Sequence, residues 1–234
     1  TQRREITLKE TSADGDYMAF RASKPPVIDG LGDDECWKKA SWAPIANLWL
    51  GAPPSPADFS GRYKIVWTPE KLYFLVEIID DILHDIDRNP LVDYWKYDCL
   101  EIFIDEDRSG GDHTYNHNAF AYHISIDYNI ADLGVNRNPI ILTDHAKVRR
   151  TQDGALHTWE VALDVYDDTF DEYAPDQKPL TLSAQKTLGF AMAYCDNDGG
   201  NDRESFMGSI YIPGIDKNVA WQDAGVFGAL TLVD

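Results

Sequence analysis

The stretch "KLYFLVEIID" (residues 71–80) alternates with period two, placing Leu72, Phe74, Val76 and Ile78 on one side of an extended chain. The same pattern recurs in "RYKIVW", "DCLEIFID", "AFAYHISID", "AKVRRT", "LHTWEVALDV", "TLGFAMAYCD" and "GALTLV", with loops rich in Gly, Asp and Asn between them. A short turn, "TPE", separates the first two and predicts a hairpin. "DDECWKKASW" is the clearest helical signal, a short turn with Trp37 and Ala40 on one face. Many strands, one or two helical turns and no internal repeat predict an all-β chain, a single antiparallel β-sandwich of jelly-roll type. That domain is expected over residues 17–234, after a polar lead-in over 1–16.

Composition narrows the function. The 234 residues carry 21 basic and 40 acidic side chains, a net charge of −19. Such a field repels nucleic acid and anionic membranes, which need basic patches, and it suits cations and neutral ligands. No apolar run reaches the ~18 residues of a membrane helix, so membrane insertion is not expected. Thr1 is expected to follow a removed signal segment, which predicts a secreted or periplasmic protein. Cys36, Cys99 and Cys195 form no CxxC pair and are expected to be buried thiols.

The chemistry concentrates in "DYWKYDCLEIFID" and the loop and strand that follow. Parity puts Asp98, Leu100, Ile102 and Ile104 on the core side of one strand, and Cys99, Glu101, Phe103 and Asp105 on the other. On the "AFAYHISID" strand, His123, Ser125 and Asp127 form the polar set. If the two strands are neighbours, Glu101 and His123 share a polar surface flanked by Trp95, the best candidate for an exposed stacking residue. The buried side of Asp98 makes it a structural carboxylate. Trp37, Trp67 and Trp159 lie in apolar patterns and are expected in the core. A hydrolase is disfavoured, because Glu101 and Asp105 stand roughly 13 Å apart along an extended strand, whereas paired glycosidase carboxylates need about 5–9.5 Å. Two oxygen-rich glycine loops resemble calcium-binding loops: "DEDRSGGD", with Asp105, Asp107 and Asp112, and "DNDGGND", with Asp196 and Asp198. Neither has the EF-hand spacing, and carboxylates that cap local amides remain the alternative reading for both.

Six motifs in order, "PPVIDGLGDDECWKKASW", "KIVWTPEKLYFLVEIID", "WKYDCLEIFID", "HTWEVALDV", "LGFAMAYCDND" and "FGALTL", resemble the family 9 carbohydrate-binding modules over about residues 20–234. The resemblance implies a β-sandwich that binds a saccharide or polysaccharide without catalysis. It also implies a sugar end held between two tryptophans, with calcium bracing the fold. On that pattern Trp95 matches the first tryptophan and Glu101 a carboxylate that accepts sugar hydroxyls. Tyr194 falls where the second tryptophan is expected. His123, Asn116 and Asn118 are expected to supply the remaining polar contacts. A domain of this kind acts alone or beside a carbohydrate-active enzyme. The same sandwich superfamily includes haem-binding cytochrome domains, for which Met192, Met207, His117 and His123 are the available axial side chains. A structural or interaction domain with a decayed sugar site is the remaining alternative.

Overall fold

The computed structural model describes residues 15–84, 89–174 and 176–234, and the first fourteen residues of the expected lead-in lie outside the described residues. The period-two segments all form strands. The first five are β1 (Tyr17–Arg21), β2 (Ala43–Ile45), β3 (Asn47–Gly51), β4 (Phe59–Trp67) and β5 (Leu72–Asp80). Next come β6 (Cys99–Asp105), β7 (Phe120–Ser125), β8 (Ile130–Leu133), β9 (Pro139–Ile141) and β10 (Ala146–Asp153). The series ends with β11 (Leu156–Leu163), β12 (Thr187–Asp196), β13 (Ser205–Gly208) and β14 (Gly228–Val233). The expected helical turn is a single 3-10 turn, Glu35–Lys38, which buries Trp37. Alternation did not reveal β2, β3, β8, β9 and β13, which are only three to five residues long.

The strands follow the order β10-β11-β5-β4-β1-β14-β12-β6-β7-β8-β9. One half of the sheet folds over the other. Inner-face rings from strands that are not hydrogen-bonded neighbours therefore meet: Phe74 of β5 stacks on Phe190 of β12 with centroids 5.8 Å apart, and Phe59 of β4 on Tyr194 of β12 at 5.6 Å. Leu72, Phe74, Val76 and Ile78 lie in this central core, as the sequence predicted, together with Leu100, Ile102, Ile104 and Trp159. Each such fully buried side chain stabilises the fold by about 1.5–3 kcal/mol.

Two findings depart from expectation. The sheet is mixed rather than purely antiparallel, because β1 runs parallel to both β14 and β4. The long connection from β1 to β4 makes this possible, since a parallel pair needs a crossover rather than a hairpin. The outer faces are also covered. Behind β4, β5 and β11, Ile28, Trp37 and Ala40 pack against Tyr73 and Leu75. Behind β6, β7 and β12, Trp49, Phe206, Ile212 and Phe227 pack against Phe103 and Ala191. Gly208 permits that cover: a Cβ there would fall 2.0 Å from the Trp49 ring, whose Nε1 donates to the Ile210 carbonyl at 3.0 Å.

Candidate functional site

Strands β6 and β7 are neighbours, and Glu101 stands directly opposite His123. With Leu100 and Ile102 committed to the central core, Glu101 must face outward, into the covered outer layer. There it is only 1% exposed, so the open polar surface expected from parity is instead a buried charged floor. The cover comes from residues 205–227, which β6 alone cannot announce. Glu101 Oε1 lies 3.2 Å from His123 Nε2 and 3.6 Å from Arg203 Nη1, and it accepts from Cys195 Sγ at 2.9 Å. His123 Nδ1 lies 2.8 Å from the Ala121 carbonyl, which orients the ring. Burial by itself would raise the Glu101 pKa, but His123, through charge and hydrogen bond, and then Arg203 outweigh it and hold the carboxyl below its usual range. Burial likewise opposes the charged form of His123, and Glu101 overrides it, so the His123 pKa is raised.

The floor connects to an aromatic rim on both sides. The Tyr94 ring meets His123 edge-on at 4.7 Å and Trp95 at 5.1 Å, and Trp95 is 37% exposed. On the far side, Arg203 Nη2 donates to Asn218 Oδ1 at 3.4 Å, and half-buried Trp221 donates from Nε1 to the Asn218 carbonyl at 3.0 Å. Trp95, Tyr94, His123, Glu101, Arg203, Asn218 and Trp221 thus form one continuous chain of contacts. Arg203, Asn218 and Trp221 were not legible in the sequence, because only the chain's return over the sheet after β12 brings them to Glu101.

Several expected contacts lie elsewhere. Tyr194 is fully buried in the central core, where its hydroxyl donates to Asp80 Oδ2 at 2.8 Å, so it is not a ligand platform. Its parity with Leu188, Phe190 and Met192 already carried that signal. Asn116 and Asn118 brace their own loop: Asn116 Nδ2 donates to the Asp112 carbonyl at 3.1 Å and Asn118 Nδ2 to the Gly110 carbonyl at 2.8 Å. Met192 and Met207 face the central core, whereas His117 pairs with Glu172 and His123 with Glu101, so the four candidate axial side chains do not converge.

The two acidic loops differ. Asp105 accepts from Gly110 N at 2.7 Å, Asp107 from Ser109 N at 2.9 Å and Asp112 from Thr114 N at 3.2 Å, all local amide caps. Among the described residues these three carboxylates do not gather into a metal-sized group. Asp196 and Asp198 do join such groups, with partners from distant strand ends. Asp80, Asp98 and Asp196 have ligand oxygens within 4.8 Å of one another, as do Asp58, Asp196 and Glu204, and Asp58, Asp81 and Asp198. Asp98 accepts from the amides of His84 and Asn197, the structural part expected of it. Asp196 Oδ1 and Asp198 Oδ1 have no hydrogen-bond partner. Burial above all pushes Asp80 up to about 6, Asp98 to about 9 and Asp196 to about 7, and neighbouring carboxylates add to each rise. Carboxylate oxygens this close, with two left unpartnered, fit a hard, oxygen-seeking cation such as calcium.

Comparison with known proteins agrees with this architecture. Over 93 residues, 40% of this chain, the sequence is 33% identical to endo-1,4-beta-xylanase A of Thermotoga neapolitana and 30% identical to that of Thermotoga maritima. The matched part spans 8% of the length of each of these curated relatives. A family 9 carbohydrate-binding module from Caldicellulosiruptor kristjanssonii, solved with cellotriose, superposes with a TM-score of 0.64 at 18% identity, covering 93% of both chains. A structure of such a module from the same organism with glucose gives 0.62 at 18% identity, over 92% of this chain and 95% of that one. These likenesses establish a shared β-sandwich fold. The family described as "Carbohydrate family 9 binding domain-like" matches residues 28–234, nearly the whole chain, and the chain belongs to that carbohydrate-binding family.

Proposed function

We propose that this domain binds the end of a neutral saccharide chain without catalysis, where the run of contacts from Trp95 through Glu101 to Trp221 lies. The observation that carries the reading is the unbroken run of contacts from an exposed indole, through a charged floor, to a second indole. Indole faces cover the apolar C–H faces of a pyranose. The Glu101 carboxylate, kept ionised by His123 and Arg203, is the acceptor for sugar hydroxyls, while Arg203 and Asn218 supply donors. Trp221 takes the part first expected of Tyr194. The glucose and cellotriose bound by the Caldicellulosiruptor modules support a glucan-type ligand.

Calcium belongs to the same proposal. Asp80, Asp98 and Asp196 would hold it, with Asp58, Asp81, Asp198 and Glu204 beside them, and its charge would neutralise carboxylates that otherwise repel one another where β5, β6 and β12 meet. The reading places the domain outside the cytoplasm, secreted or periplasmic, acting alone or beside a carbohydrate-active enzyme. The much longer xylanases that it matches in part support that setting.

Isothermal titration with glucose, cellobiose, cellotriose and xylobiose, in calcium, tests the reading. Wild-type protein is expected to bind at least one of them. Trp95→Ala and Trp221→Ala should each weaken that binding by about tenfold or more, the worth of a buried aromatic contact, with unchanged circular dichroism. Silence of the folded wild type across the panel, or undiminished binding by Trp95→Ala, overturns it.

A further inference from the structure

We propose a second cation site on the outer face of β6 and β12, formed by Cys99, Cys195 and Glu101 and selective for a thiophilic divalent metal such as zinc. Cys99 and Cys195 stand directly opposite each other in the register of these strands. Their sulfurs and a Glu101 oxygen all lie within 4.8 Å of one another, and both cysteines are free and buried. The hydrogen bond from Cys195 to Glu101 needs one thiol, not two facing each other, in an outer layer otherwise lined by Ala191, Ala193 and Phe103. Two thiolates and a carboxylate are the donor set of a borderline-soft tetrahedral ion, with the fourth position left to water or a ligand hydroxyl.

The surroundings match such a site. His123 Nε2 lies 3.2 Å from Glu101 Oε1, and its other ring nitrogen is fixed by the Ala121 carbonyl. A ligand carboxylate is thereby held in orientation by an outer partner. Arg203 Nη1 lies 3.0 Å from Cys195 Sγ. The charges also close. A divalent ion with two thiolates and one carboxylate leaves a net single negative charge, and the Arg203 guanidinium cancels it. When the metal is absent, Arg203 balances Glu101 while the thiols stay protonated, and His123 carries the same charge in both states. Binding is therefore metal uptake with release of the two thiol protons, and no oxidant or reductant is needed.

Selectivity follows from strand parity. The sequence places Asp98 beside Cys99 and Cys195 beside Asp196, so the same two strands offer hard oxygen donors on the inner face and soft sulfur donors on the outer one. Calcium, which takes oxygen ligands, should not compete for the sulfur site.

The inference does not depend on the saccharide reading, and its test has a separate readout. Reduced protein is titrated with cadmium, then zinc, in excess calcium, while the ultraviolet thiolate-to-metal band is followed. The expected result is a band that saturates at about one cadmium per chain, is displaced by zinc and is unaffected by calcium. Cys99→Ala and Cys195→Ala should each diminish it, and His123→Ala should weaken metal affinity about 10- to 100-fold, as losing an outer partner does. Absence of the band from folded wild type overturns the proposal whatever the variants do. So does a thiol count on denatured, never-reduced protein that finds only Cys36, since the facing pair would then be a disulfide.

Discussion

At the scale of single residues, the fold holds several histidines in the neutral form. His145 is buried: its Nδ1 lies 3.0 Å from the Tyr122 hydroxyl and its ring stacks 4.2 Å from that of Tyr166. Burial foremost lowers its pKa to about 4. The folded value is thus below the ordinary value of about 6.5. Between those two pH values the unfolded chain binds a proton that the folded chain refuses. The stability tied to His145 is therefore complete above about pH 6.5 and is lost as pH falls toward 4. Between pH 7 and pH 5 the loss is roughly 2 kcal/mol for this one residue. Chemical denaturation at both pH values should show His145→Gln losing less stability on acidification than the wild type by about that amount. Equal losses would mean that His145 is already protonated in the folded protein.

At the scale of elements, strands β6 and β12 show what was legible in the sequence and what was not. Parity within "DCLEIFID" correctly assigned Leu100, Ile102 and Ile104 to the core and Glu101 to the opposite face, because alternation is a local property of an extended chain. The same rule applied to "TLGFAMAYCD" would have put Tyr194 in the core beside Phe190. The burial of the outer face of β6 could not be read, since its cover comes from Trp49 well before it and from residues beyond β12. For the same reason Trp221 stayed hidden, and the acidic loops could not be ranked until the ends of β5, β6 and β12 were seen to meet. That ranking has a consequence. Calcium at about 100 times its dissociation constant adds ~2.7 kcal/mol, about 5–10 °C in melting temperature for a chain of this size. Scanning calorimetry in calcium against a chelator should show such a shift in the wild type and its loss in Asp196→Asn. Asp112→Asn, in the loop whose Asp105, Asp107 and Asp112 join no metal-sized group among the described residues, should keep it. A shift retained by Asp196→Asn would place the ion elsewhere.

At the scale of the whole molecule, the net charge of −19 is spread over a chain whose proposed ligand carries none. The few cationic groups at the floor, Arg203 and His123, are engaged with Glu101, so the site presents little net field to a sugar. Stability and binding should then respond differently to salt. The acidic surface repels itself, and that repulsion is screened as the Debye length shortens from about 10 Å at 0.1 M toward 3 Å at 1 M. The melting temperature should therefore rise with sodium chloride at fixed calcium. A neutral saccharide gains nothing from the field, so its dissociation constant should change by less than about twofold over the same range. An acidic polysaccharide would behave otherwise: the surface repels it over long range, and only local pairing with Arg203 could hold it, so added salt would change its affinity severalfold. Titration of the best-binding neutral oligosaccharide and of a uronic-acid counterpart at low and high salt separates the two. A strongly salt-dependent affinity for the neutral sugar would mean that the ligand meets charges outside the floor, and the surface of Trp95, Glu101 and Trp221 would not be where it binds.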